Sequence, residues 1–146
     1  MDADKAGQGV ILIVDDKPAN LSVLFEFLAD ANFQILVAED SEGAIQTAKY
    51  AAPDLILLDV LMPEVDGFET CRRLKLDEQT REIPVIFLTA LNETVDKVKG
   101  LELGAVDYLT KPLQEEEVLA RVRLHLNLRS LNRRLQAQNL QLEQEI

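Results

Sequence analysis

The chain has 146 residues, 47% of them hydrophobic, and a formal net charge of −11, which suits one domain with a packed core and excludes a disordered chain. That charge argues against nucleic-acid binding by the whole domain, since phosphate backbones demand the opposite sign, and it suits a site that attracts cations. The single cysteine, Cys71, excludes an internal disulfide and fits a reducing compartment, while no apolar run is long enough to span a bilayer. Met1–Gly9 is small and polar, lacks the apolar stretch of a signal peptide, and reads as a flexible N-terminus in a protein expected to be cytoplasmic.

Val10–Val14 is a continuous apolar run, as expected of a strand covered on both faces, and it runs straight into Asp15 and Asp16. From Pro18 the spacing turns helical, with Leu21, Leu24, Phe25 and Leu28 on one inward face. Phe33–Ala38 is a second strand. Ser41 is expected to cap a helix that carries Ala44, Ile45 and Ala48 inward. Asp54–Asp59 is a third strand, Val60–Gly67 a loop with Pro and Gly in turn roles, and Phe68 to about Leu76 a helix. Ile83–Thr89 is a fourth strand, and Thr94–Leu103 a helix ended by Gly104. Val106–Thr110 is the fifth strand, followed by Lys111-Pro112 and a long helix with Glu115, Glu116 and Glu117 in its first turn, where the helix dipole favours acids.

Strand alternates with helix five times, which implies an α/β fold: a doubly wound parallel sheet with helices on both faces. In such sheets the site lies at the C-terminal ends of the strands. The residues there are Asp15, Asp16, Asp59, Thr89 and Lys111. Three carboxylates packed together repel one another unless a cation offsets them, and Mg²⁺ takes one or two carboxylates together with waters and a phosphate. An ammonium and a hydroxyl beside them suit an incoming phosphoryl group, with Asp59 as the nucleophile and the adjacent Asp15 and Asp16 holding metal. Taken singly, each residue reads more simply as a cap, a turn residue or a solvated lysine; the joint set is far more specific.

With these motifs in hand, the chain from Val10 to Leu126 resembles the receiver domain of two-component response regulators. "VDD" resembles its acidic pair, "LLDVLMPEVDG" its phosphoacceptor loop, "FLTA" its switch threonine and "YLTKP" its lysine-proline step. The resemblance implies a flavodoxin-like sheet of order 2-1-3-4-5, with a Lys111–Pro112 peptide bond similar to one that is cis in the family. It also implies that Asp59 accepts phosphate from a histidine kinase or phosphotransfer protein. Asp15, Asp16 and Asp59 would bind Mg²⁺ with the Leu61 backbone carbonyl, Asp16 directly and Asp15 through water. Lys111 would contact the phosphate, and Thr89 and Tyr108 would be coupled switch residues. Leu61 and Leu91 match positions that flank the path of the hydrolytic water; both are aliphatic and are expected to slow dephosphorylation. Cys71 reads as a small core residue, and His125, the only histidine, as structural rather than chemical.

Beyond Leu126 the leucines continue although the sheet has no surface left to cover. Leu124 and Leu131 fit heptad d positions and Leu128, Leu135 and Leu142 fit a positions, with Gln138 at a skipped d. Such a stripe implies a partner helix, most simply a second copy in a parallel coiled coil. The other readings are an extension packed on its own domain and an arginine-rich, acid-free stretch that touches nucleic acid or another anionic partner; the lack of an aromatic residue and of a helix-turn-helix turn there argues against nucleic acid. Residues 127–146 are thus expected to be a helical linker to an effector domain absent from this chain. Two rival functions stand beside the receiver: a phosphohydrolase with an Asp nucleophile, against which Leu61 occupies the place of a general acid, and a degenerate receiver serving as a dimerisation scaffold.

Overall fold

A computed structural model describes the backbone of residues 9–90 and 94–145, and the side chains of 9–90 and 97–144. Five strands form one parallel sheet: β1 (Val10–Val14), β2 (Gln34–Ala38), β3 (Leu55–Asp59), β4 (Val85–Thr89) and β5 (Asp107–Thr110). Their order is β2-β1-β3-β4-β5. The helices between and after them are α1 (Pro18–Asp30), α2 (Ser41–Ala51), α3 (Gly67–Leu76), α4 (Thr94–Glu102) and α5 (Glu115–Glu145). This is the doubly wound fold, flavodoxin-like in order, that the alternation and the family resemblance imply.

Side chains alternate across the sheet, so each strand feeds two cores. Leu12, Val14, Ile56, Leu58 and Phe87 pack with Ala44, Ala48, Phe68, Cys71 and Leu74 from α2 and α3. Ile11, Ile13, Leu55, Leu57, Ile86, Leu88 and Leu109 pack with Leu24, Leu28, Val118 and Val122 from α1 and α5. Burial on both faces is why the strands read as unbroken apolar runs. Burial also pushes the Cys71 thiol up to about 11, which makes it the inert core residue the sequence suggests.

Two local expectations need correction. Phe25 does not face inward: it is 48% exposed, while Leu24 and Leu28 supply the buried contact of α1. Those two already fill the stripe beneath the sheet, and Phe25 lies about 100° around the helix from Leu24. Ser41 is not the cap of α2. Asp40 holds that place, its carboxylate accepting from the Gly43 amide at 2.7 Å. Ser41 instead lies buried, its hydroxyl accepting from that of Thr70 on α3 at 2.7 Å.

Strand β5 and helix α5 are joined by polar contacts. Arg121 Nη1 donates to both Asp107 oxygens at 2.7 Å, and His125 Nε2 lies 2.9 Å from Asp107 Oδ2. His125 is therefore structural. Burial alone would raise the Asp107 carboxyl, but His125 and Arg121 outweigh it and hold the group below its usual value of 3.8. A depressed carboxyl contributes stability above its unfolded pKa and loses it as pH falls through the folded one. Asp107→Asn is therefore expected to lower stability by about 2 kcal/mol at neutral pH, the scale of a charged hydrogen bond. The gap from the wild type should close as pH falls below 3.8, as measured by urea midpoints across pH.

Candidate functional site

The order of the sheet decides where the site lies. The chain winds outward from β1 in both directions, so the crevice opens between the C-terminal ends of β1 and β3. In that pairing Val14 lies opposite Leu58, which sets the next residues, Asp15 and Asp59, side by side. Asp59 in turn pairs with Leu88 on β4, and Thr89 with Thr110 on β5, so Thr89 and Lys111 follow along the same rim.

The carboxylates of Asp15, Asp16 and Asp59 each offer an oxygen within 4.8 Å of the others. Asp15 is fully buried and tethered: Oδ1 accepts from the Lys17 amide at 2.9 Å and Oδ2 from Asn20 Nδ2 at 3.1 Å. Asp59 Oδ1 accepts from Lys111 Nζ at 2.8 Å, and the same ammonium lies 3.9 Å from Asp15 Oδ2. Asp16 Oδ1, Asp59 Oδ2 and Thr89 Oγ1 are buried and meet no partner among the described residues. Buried polar atoms are nearly always satisfied, so three orphans on one rim call for an explanation.

Burial raises the Asp59 carboxyl above its usual 3.8; the Lys111 hydrogen bond opposes the rise, and the charge of Asp15 adds to it. Three carboxylates gather around the single ammonium of Lys111, which leaves the pocket with surplus negative charge. A hard divalent cation would supply the missing charge and take the unpartnered oxygens of Asp16 and Asp59. The donor set, all oxygen and three times anionic, fits Mg²⁺.

Asp59 is held in place by a glycine. At Gly67, which opens α3, an added Cβ would lie 2.1 Å from the Asp59 carbonyl oxygen and 2.9 Å from Val60 Cα. The Gly67 amide donates to Val60 O at 2.9 Å, closing the loop back onto the end of β3. The Lys111–Pro112 bond, which follows β5, is cis.

A family model described as the response regulator receiver domain matches residues 11–123. The chain belongs to this family. Over 113 residues, 77% of its length, the receiver is 48% identical to the DNA-binding dual master transcriptional regulator RpaA of Synechocystis sp., of which it covers 47%. Over an equal stretch, again 77% of the chain, it is 47% identical to the response regulator PleD of Caulobacter vibrioides, of which it covers 25%. The receiver therefore spans half or less of each of these two relatives. Among solved structures it is similar to the receiver domain of the sensor histidine kinase PA1611 of Pseudomonas aeruginosa. The TM-score is 0.76 at 29% identity, covering 82% of this chain and 98% of that one. That structure carries a magnesium ion coordinated in its active site cleft.

The remaining expected residues fall as follows. The Tyr108 ring is half-buried on β5, with Lys97 Nζ 4.9 Å from its centroid. The Leu61 side chain is 66% exposed, beside the rim rather than in the core. Leu91 lies outside the described residues. Leu124, Leu128, Leu131, Leu135 and Leu142 are all exposed along α5.

Two residues go beyond the sequence expectations: Asn20 orients Asp15, and Gly67 is more than a turn residue. Asn20 lies in the first turn of α1, five residues past Asp15, and that spacing was the available signal. Nothing in the sequence alone shows how closely Gly67 approaches Asp59.

Proposed function

We propose that this receiver is a phosphorylation switch in which Asp59 takes a phosphoryl group from the phosphohistidine of a histidine kinase or phosphotransfer protein. The observation that carries the reading is the set of unpartnered buried atoms on Asp16, Asp59 and Thr89, gathered around a lysine-bound carboxylate. An Asp59 oxygen attacks phosphorus, the P–N bond breaks, and the departing imidazole takes up a proton. Asp15, Asp16 and Asp59, with the Leu61 carbonyl, would hold Mg²⁺, which when bound spreads the charge of the transferring phosphoryl oxygens. The tether of both Asp15 oxygens to Lys17 and Asn20 supports a water-mediated role for Asp15, and the free Asp16 Oδ1 a direct one.

Lys111 leaves Asp59 for a phosphoryl oxygen, and Thr89 donates its hydroxyl to another. Drawing Thr89 inward gives Tyr108 room to turn, and the change biases α4, β5 and α5 between pre-existing states. Leu61 and Leu91, unable to activate water, slow loss of the phosphoryl group. The domain proper is residues 10–126, and 127–146 form a linker to an output domain.

The exposed leucine stripe of α5 supports a homodimer through a parallel coiled coil. Sedimentation equilibrium is expected to give twice the chain mass for the full protein and the monomer mass after deletion of 127–146. A monomer in both would remove the dimer.

Incubation with Mg²⁺ and a small phosphodonor tests the function. One phosphoryl group per chain is expected in the wild type and none in Asp59→Asn. Multiple turnover of an organic phosphate would support a hydrolase instead, and no labelling a scaffold.

A further inference from the structure

A second site lies at the opposite end of the sheet from Asp59. Pro84 and Val106 immediately precede β4 and β5, and with Leu128 they form apolar wall in a groove of about 520 Å³. The same groove is lined by Lys75, Arg81 and Arg129, against one carboxylate, Glu82. Three cations converging on one groove are unexpected in a chain of net charge −11.

None of the three forms an ion pair with a carboxylate among the described residues. Lys75 Nζ donates only to main-chain carbonyls, those of Arg81 at 3.1 Å and Ile83 at 2.7 Å. Arg129 Nη1 likewise donates to the carbonyls of Pro53 at 3.3 Å and Asp54 at 2.7 Å, while its Nε is buried and meets no acceptor among the described residues. Burial lowers both groups from their usual values. Lys75 feels the charge of Glu82 and Arg129 those of Asp54 and Glu82, but neither cation is closely paired, and partly desolvated cations without close pairing are costly. An anion placed in the groove would supply the negative charge that Glu82 alone does not.

We propose that this groove binds a small organic phosphate, its anionic end held by Arg81, Arg129 and Lys75 and its apolar end against Pro84, Val106 and Leu128. The volume falls in the range of small-molecule sites, and arginine forks match phosphate oxygens. Leu128 and Arg129 belong to α5 and the other four residues to the body. A bound phosphate therefore braces α5 where it leaves the domain. The site is separate from Asp59 and stands whether or not Asp59 is phosphorylated.

Adenosine monophosphate, which is no phosphodonor, serves as the probe, with inorganic phosphate and adenosine as comparisons. Amide spectra of the full chain are followed in the presence of a chelator, so that the Asp59 rim holds no metal. Saturable shifts are expected at Val106, Leu128, Arg129 and Asn132, with weaker binding of both comparison compounds. Arg81 is exposed, so Arg81→Ala is expected to fold normally and to weaken binding roughly tenfold, the scale of one charged hydrogen bond. Arg129→Leu is expected to weaken it further. Absence of saturable shifts, equal binding of adenosine, or unchanged affinity in Arg81→Ala would each overturn the proposal.

Discussion

Asp16→Ala is expected to weaken Mg²⁺ binding at least by the roughly 10–100-fold that even outer-shell changes cost a metal site. Asp15 spends both oxygens on the Lys17 amide and Asn20, and Asp59 spends one on Lys111. Asp16 Oδ1 is buried with no partner among the described residues, which leaves it as the oxygen of the acidic pair to ligate directly. Asn20→Ala should cost less, because it loosens Asp15 without removing a carboxylate. Calorimetric titration with Mg²⁺ separates the two. Equal affinity in Asp16→Ala and wild type would assign the direct role to the wrong residue.

Gly67→Ala is expected to cost about 3 kcal/mol or more, at the upper end of overpacking substitutions. The added methyl would meet the Asp59 carbonyl and Val60 Cα. Both are main-chain atoms at the end of a central strand, so nothing nearby can swing aside. Relief requires moving the loop that aims Asp59, so the folded fraction should also accept phosphate poorly. Urea unfolding followed by circular dichroism gives the stability change. A midpoint within error of wild type would mean that the turn yields freely and that Gly67 does not position Asp59.

These two residues mark where sequence reading works and where it stops. The five strands were legible because a sheet covered on both faces leaves unbroken apolar runs such as Ile11–Val14 and Leu55–Leu58. The rim was legible because in a parallel sheet each strand ends on the same side, so Asp15, Asp59, Thr89 and Lys111 had to share an edge. Phe25 was misplaced because helical spacing tolerates a neighbouring position until packing decides which one the sheet covers. Asp40 and Ser41 both have the chemistry of a cap, and only the buried Thr70 hydroxyl shows why Ser41 is used elsewhere. The contacts of Arg129 with Pro53 and Asp54 span about half the chain, and local pattern carries no trace of them. The leucine stripe of α5 was legible as a pattern, and in the single chain it stays exposed.

Phosphoryl transfer to this receiver rests on one carboxylate, and marking that carboxylate chemically tests it most directly. Wild-type protein treated with Mg²⁺ and a small phosphodonor is reduced with borohydride, which converts an aspartyl phosphate to homoserine, and digested for mass spectrometry. Homoserine is expected at position 59 alone, and none when Mg²⁺ is chelated beforehand. Homoserine at position 15 or 16, or none at 59 with Mg²⁺ present, would contradict it.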